Sequence, residues 1–158
     1  MAAYDAIVIG TGTAGSYLAE RLARSGMKVA AIERKLVGAT CLNVGCTPTK
    51  TLVASAYAAH MARRGSEYGV QIDGPVAVDM KRVKARKDAV LAPRQAELEA
   101  WLRNTENCTM YQNYARFVSS RKVRVGTDVL TAERIFLDVG GPLATPSVIS
   151  RTSILPMR

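Results

Sequence analysis

Two cysteines, Cys41 and Cys46, are the residues of this sequence best suited to redox chemistry. They follow a loop around Gly38 and precede an apolar, alanine-rich run over residues 52–62, which predicts that they lie where a loop becomes a helix. The partial positive charge at a helix N-terminus favours a thiolate over a thiol. This placement predicts nucleophilic thiols that can exchange disulfides.

The spacing of the two cysteines restricts the backbone between them. Five residues of straight α-helix rise about 7.5 Å, whereas a disulfide holds its Cα atoms about 4.4 to 6.8 Å apart. We therefore predict an irregular turn between Cys41 and Cys46. Gly45 provides backbone freedom for such a turn, and Pro48 lacks the N–H group that a regular helix would use.

Residue types alone leave two other interpretations of the cysteine pair open. Free cysteines often pack in a core as small apolar residues. A structural zinc site needs four ligands, and the only other cysteine or histidine residues in the chain are His60 and Cys108. We expect the two cysteines to be redox thiols and expect no metal site. His60 is expected to lie on the surface of its helix or to be half-buried.

A second candidate site lies at the start of the chain, where glycines follow the spacing G-x-G-x-x-G. An apolar stretch precedes these glycines, and an amphipathic stretch and a second apolar stretch follow them. This order predicts a β-α-β unit in which Gly10 permits a tight turn, Gly12 lets a pyrophosphate approach the backbone and Gly15 lets helix and strand pack closely. Helix N-H groups would then face the phosphates.

Glu33 lies eighteen residues after Gly15, at the end of the second predicted strand. An acid at this position can accept hydrogen bonds from ribose hydroxyls, and its charge disfavours a 2'-phosphate. The ligand is therefore expected to carry an unphosphorylated adenosine ribose, as FAD and NAD do. The alternative is that the glycines form only a glycine-rich turn.

The run from Gly38 to Lys50, GATCLNVGCTPTK, resembles the signature of the pyridine nucleotide-disulfide oxidoreductases. These flavoenzymes include dihydrolipoyl dehydrogenase, glutathione reductase and mercuric reductase, and the run is most similar to the mercuric reductase-like branch. The resemblance implies FAD as the bound nucleotide. It also implies that Cys41 is the thiol that meets substrate, that Cys46 lies against the flavin and that Lys50 is near the flavin's redox nitrogens.

Two later positions complete the predicted site by resemblance. Ala115 matches a backbone position that contacts adenine in the family, although it could equally be an ordinary strand residue, and Gly140 matches part of a turn that passes close to FAD. The full set of predicted cofactor-binding residues is Gly10, Gly12, Thr13, Ala14, Gly15, Glu33, Arg34, Gly38, Thr40, Cys41, Cys46, Lys50, Ala115 and Gly140.

The fold class expected from these patterns is α/β, a Rossmann-like FAD-binding domain over residues 1–141. Apolar and alternating stretches between residues 108 and 139 predict one more parallel strand and then a small antiparallel meander. Residues 79–103 predict a long helix with Asp79 as its N-cap and a kink at Pro93. Residues 142–158 contain three prolines and no acid, which predicts an irregular tail.

Net charge raises the question of nucleic-acid binding. The 158 residues include 22 Lys and Arg against 13 Asp and Glu, a net charge of +9. The basic residues cluster between Lys81 and Lys87, but no aromatic residues interleave with them, which favours a solvated helix face over a nucleic-acid surface. No stretch has the length of a membrane span. We expect no nucleic-acid or membrane partner.

Three cysteines form an odd set rather than a disulfide framework, which is typical of a reducing, cytoplasmic setting. In that setting Cys41 and Cys46 would cycle and Cys108 would be structural. By resemblance, electrons in the complete enzyme pass from NAD(P)H to FAD, then to Cys46 and Cys41, and finally to a disulfide or Hg(II) substrate.

The resemblance covers only the opening portion of the family's architecture. Relatives continue into a second nucleotide-binding domain and a dimerisation domain, through which the family forms homodimers, and we expect this chain to be truncated relative to them. The chain alone is therefore expected to be inactive. The rival interpretation is a non-catalytic FAD-binding fragment or regulatory module.

Overall fold

The computed structural model describes residues 1–141, and the predicted irregular tail, residues 142–158, lies outside the described residues. The elements in chain order are β1 (Ala2–Ala3), β2 (Ala6–Ile9), α1 (Thr13–Arg24), β3 (Val29–Glu33), α2 (Ala39–Asn43), α3 (Cys46–Arg63), a 3₁₀ turn (Gly65–Tyr68), α4 (Met80–Arg103), β4 (Cys108–Gln112), β5 (Ala115–Ser119), β6 (Lys122–Val125), β7 (Asp128–Thr131) and β8 (Arg134–Leu137).

A four-stranded parallel sheet forms the centre of the fold, with strand order β4-β3-β2-β8. Every residue of β2 and β3 is buried, because both faces of this sheet are covered. The chain runs from β2 through α1 to β3 on one side, whereas β8 pairs with β2 on the other side. The strands β3 and β4 are added on one side of β2, and the chain returns to add β8 on the other side, so a topological switch point lies between β2 and β8.

The two faces of the parallel sheet contribute to separate hydrophobic cores. Alternate residues of β2 point to opposite faces. Ala6 and Val8 pack with α1 and with Leu102 of α4. Ile7 and Ile9 pack on the opposite face against Val123, Val125 and Leu130 of the second sheet. The molecule therefore has three layers, with the parallel sheet in the middle.

The second sheet has the order β1-β7-β6-β5, in which β5, β6 and β7 form an antiparallel meander. The predicted parallel strand followed by a meander is thereby confirmed. The short strand β1 was not predicted. It adds to the edge of the meander by pairing in parallel with β7, with Ala2 opposite Leu130.

The helices confirm two further predictions. Asp79 caps α4, because its carboxylate accepts hydrogen bonds from the backbone N–H groups of Lys81 and Arg82 at 2.9 and 3.2 Å. The backbone between Cys41 and Cys46 is irregular as expected, since α2 ends at Asn43 and α3 begins at Cys46. The helix over residues 80–103 continues through Pro93.

Across residues 1–141, none of the helices combines the length and the hydropathy that crossing a bilayer requires.

Candidate functional site

A cavity of about 810 Å³ lies at the carboxyl ends of β2, β3 and β8. This is the edge of a parallel sheet at which α/β proteins bind ligands, and the cavity opens at the switch point between β2 and β8. Its walls come from three regions, the glycine loop after β2, the segment from β3 to α2 and the turns that precede β5 and follow β8.

The glycine loop is packed too closely for side chains. Gly10 has φ +101°, and a Cβ atom placed there would lie 2.1 Å from the carbonyl oxygen of Asp138. A Cβ at Gly15 would lie 2.2 Å from the carbonyl oxygen of Gly10, and one at Gly12 would lie 2.8 Å from the Asp138 carboxylate. The glycines therefore let α1 begin directly against the ends of β2 and β8.

Glu33 ends β3 and is buried at the cavity wall. Its Oε2 atom accepts hydrogen bonds from the backbone N–H and the hydroxyl of Thr11, at 3.1 and 2.9 Å. Its Oε1 atom accepts from the backbone N–H of Lys35 at 2.9 Å. These donors fix the carboxylate beside the glycine loop.

Arg34 and Tyr114 form a cation-π pair at the cavity. The guanidinium of Arg34 lies 5.8 Å from the ring centroid of Tyr114. Asn113, Tyr114 and Ala115 line the cavity.

The segment that carries the cysteines forms another part of the cavity lining. A Cβ at Gly45 would lie 2.8 Å from the carbonyl oxygen of Thr40 and 3.4 Å from the Cα of Cys41, so Gly45 permits the start of α3 to fold back onto α2. Asn43 holds the segment in place. Its amide donates to the carbonyl oxygens of Val37 and Ala39 at 3.0 and 2.8 Å, and Gln95 of α4 donates to its Oδ1 at 2.6 Å.

The thiols are free in the structure, with Cys46 exposed and Cys41 half-buried. A hydrogen bond with the Cys46 side chain and partial burial raise the pKa of Cys41 above its ordinary value. Hydrogen bonds from the backbone N–H of Cys46 and with the Thr13 side chain oppose this shift. Cys46 is the first residue of α3 and so lies at a helix N-terminus, as predicted. Cys41 lies inside the short helix α2, and the dominant influence on it is a neighbouring thiol.

Most of the predicted site residues come together around the cavity. Those that line it are Gly10, Gly12, Thr13, Glu33, Arg34, Gly38, Thr40, Cys41, Ala115 and Gly140. Gly15 is buried behind the loop, and Ala14 is exposed on α1. Cys46 and Lys50 are exposed on α3, four residues apart and thus on one face of that helix, outside the cavity lining.

Three residues that position or line the site were not predicted from the sequence, namely Thr11, Asn43 and Asp138. Thr11 could have been found because it lies inside the glycine motif, and its hydroxyl contacts the predicted acid Glu33. Asn43 lies within the motif but makes its contacts through tertiary structure. Asp138 follows β8, and its place in the cavity depends on β8 pairing with β2 more than a hundred residues away.

In the part of the chain that the structure describes, no group of three or more histidine, cysteine or acidic side chains could hold a metal ion. The site consists instead of a glycine loop at a switch point, an acid at the end of the adjacent strand and a dithiol on the cavity's edge. A glycine loop at a switch point with an acid at the end of the adjacent strand is typical of dinucleotide-binding α/β folds.

Comparison with known proteins identifies the family. Residues 4–151 match the family described as pyridine nucleotide-disulphide oxidoreductase, and the chain belongs to that family. Dihydrolipoyl dehydrogenase of Chlamydia muridarum is 34% identical over 150 residues, which cover 92% of this chain and 32% of the relative. Mercuric reductase of Lysinibacillus sphaericus is 30% identical over 145 residues, which cover 92% of this chain and 26% of the relative.

A solved structure gives the same result at the level of the fold. The HOCl-induced flavoprotein disulfide reductase RclA from Escherichia coli matches with a TM-score of 0.71 and 31% identity, over 91% of this chain and 30% of that chain. The mixed α/β fold is therefore that of the flavoprotein disulfide reductases. The chain spans about a third of the length of the relatives it matches, from 24% of a dihydrolipoyl dehydrogenase from Bacillus subtilis to 43% of one from Acholeplasma laidlawii.

Proposed function

We propose that this chain is the FAD-binding, dithiol-bearing part of a flavin-dependent NAD(P)H:disulfide oxidoreductase. The observation that carries the proposal is a single cavity whose walls include both the glycine loop and Cys41. A nucleotide site and a redox thiol on one cavity allow electrons to pass over a short distance between a bound flavin and the cysteines.

The residues present fit FAD. Gly12, the N-cap residue of α1, has no side chain that could cap the first turn of the helix. A diphosphate can therefore accept hydrogen bonds from backbone N–H groups of that turn. Glu33 is placed to accept hydrogen bonds from ribose hydroxyls, and the surface formed by Arg34, Tyr114 and Ala115 suits adenine. An acid at position 33 favours FAD or NAD over nucleotides with a 2'-phosphate.

The dithiol exchanges electrons with the substrate through thiol–disulfide chemistry. The Cys41 thiolate attacks one sulfur of a substrate disulfide, which forms a mixed disulfide and releases one substrate thiol after protonation. Cys46 then attacks the Cys41 sulfur, which releases the second thiol and leaves a Cys41–Cys46 disulfide. The flavin, when bound, supplies the two electrons from NAD(P)H that return this disulfide to the dithiol. Hg(II), reduced by two electrons, is the alternative substrate.

Thermal melting with and without FAD tests the nucleotide site. A Val side chain at position 12 would meet the Asp138 carboxylate and fill the space next to the α1 N-terminus. We expect FAD to raise the melting temperature of the natural chain and to leave that of Gly12→Val unchanged. Gly141→Val is the matched control, because no atom of residues 1–141 lies within 4 Å of a Cβ at position 141. An equal response of Gly12→Val and the natural chain would refute this site.

A further inference from the structure

Asp138 places a carboxylate against the N-terminus of α1. Its Oδ2 atom accepts a hydrogen bond from the backbone N–H of Gly15 at 2.7 Å. Gly12, the N-cap residue of α1, has no side chain to perform this role, and the first turn of the helix contains no acid. A residue that is 123 positions away in sequence therefore supplies the cap.

The space that the glycine loop creates is partly filled by this carboxylate. Cβ atoms at Gly12 and at Gly15 would each lie 2.8 Å from the same Oδ2 atom. Asp138 also lines the cavity, together with Gly10, Gly12 and Thr13. The carboxylate thus lies in the part of the cavity where the proposed function places the FAD diphosphate.

Two negative groups then compete for one positive helix end. A helix N-terminus carries the equivalent of about half a positive charge, which attracts either a carboxylate or a phosphate. The first turn of α1 contains no acidic or basic side chain. The basic residues that line the cavity, Arg34 and Lys35, follow β3. An Asp138 charge that stays at the α1 N-terminus therefore repels a diphosphate there.

We propose that Asp138 determines the strength of FAD binding by competing with the diphosphate for the α1 N-terminus. This inference rests on the proposed function. FAD binding requires the carboxylate to turn away from the Gly15 N–H or to remain beside the diphosphate at an electrostatic cost. Asparagine at this position keeps an oxygen that can accept the Gly15 hydrogen bond but removes the charge, so it should strengthen binding.

FAD titrations monitored by flavin fluorescence test the proposal with Asp138→Asn and Asp138→Ser. At low ionic strength we expect both variants to bind FAD about tenfold more tightly than the natural chain. The gain should shrink to less than about threefold near 0.5 M salt, because salt screens the repulsion. Glu133→Gln is the matched control, since it removes an equal charge at an exposed position outside the cavity lining and should change affinity less than about twofold.

The outcomes separate this inference from the proposed function. Failure of the natural chain and all variants to bind FAD would refute both. FAD binding by the natural chain with equal or weaker binding by the Asp138 variants would refute the inference alone, as would a gain that does not depend on salt. Loss of folding in both variants, detected by circular dichroism, would show that Asp138 is a structural cap and would also overturn the inference.

Discussion

The two walls of the site are built in different ways. The glycine loop and Glu33 extend from β2 and β3, in which every residue is buried, whereas only Pro48 and Thr51 are buried among the 18 residues of α3. The nucleotide wall is thus supported by two cores of this chain. The dithiol wall is held by side-chain hydrogen bonds, through Asn43 and from Arg86 of α4 to Thr51 and Ser55.

This difference means that substitutions should affect the two walls unequally. Changes in the nucleotide wall should alter the stability of the whole fold, because they disturb close-packed strands. Changes in the dithiol wall should alter thiol chemistry with little effect on global stability.

The largest effect is expected for Gly10→Ala. The left-handed backbone conformation costs an alanine about 1–2 kcal/mol, and its Cβ would also lie 2.1 Å from the Asp138 carbonyl oxygen. We expect a loss of more than about 4 kcal/mol in the free energy of unfolding, measured by urea denaturation. Gly26→Ala is the control, since Gly26 has a similar φ of +89° but open space around it, and it should lose only the conformational part. Equal losses would show that the glycine loop is not closely packed.

The next effect compares the two walls directly. Ile7 is fully buried in β2, so Ile7→Ala should lower the free energy of unfolding by about 2–5 kcal/mol. Leu52 on α3 is 40% exposed, and Leu52→Ala should cost less than about 1 kcal/mol. Similar losses from the two substitutions in urea denaturation would contradict the contrast between a buried and an exposed wall.

The sequence predicted the nucleotide wall well because its signals are local. The apolar stretches, the glycine spacing and the terminal acid Glu33 all lie within one β-α-β unit, and the structure places them as expected. The residue at which α3 begins was harder to predict from the sequence, because this helix has few buried positions and so lacks a strong apolar stripe. Asp138 could not be predicted, since its contact with Gly15 exists only once β8 has paired with β2.

A smaller effect is expected at the bend between α2 and α3. An alanine Cβ at Gly45 would lie 2.8 Å from the Thr40 carbonyl oxygen, which should push α3 away from Cys41. We expect Gly45→Ala to make the Cys41–Cys46 disulfide at least about tenfold easier to reduce, a shift of about 30 mV. Equilibration with glutathione buffers followed by alkylation and mass spectrometry measures this. Gly141→Ala, whose Cβ meets no atom of the described residues within 4 Å, should leave the equilibrium unchanged.

The smallest effect concerns the order of thiol reactivity. Cys46 is exposed, whereas Cys41 is half-buried and its pKa is raised by the hydrogen bond with Cys46. In the reduced chain near pH 8, iodoacetamide should therefore modify Cys46 before Cys41. Cys46→Ala should lower the pKa of Cys41 and increase its alkylation rate at the same pH, whereas Cys108→Ala should not change that rate. Faster modification of Cys41 in the natural chain would contradict this account of the dithiol.

If the proposed function is right, a bound flavin and the cysteine pair share electrons. An anaerobic dithionite titration of the oxidised, FAD-loaded chain tests this most directly. Reduction of the flavin takes two electrons, and reduction of a Cys41–Cys46 disulfide takes two more. We predict that the natural chain consumes twice as much dithionite per flavin as Cys41→Ser, which cannot form this disulfide. Equal consumption by the two proteins would show that the cysteine pair does not exchange electrons with the flavin.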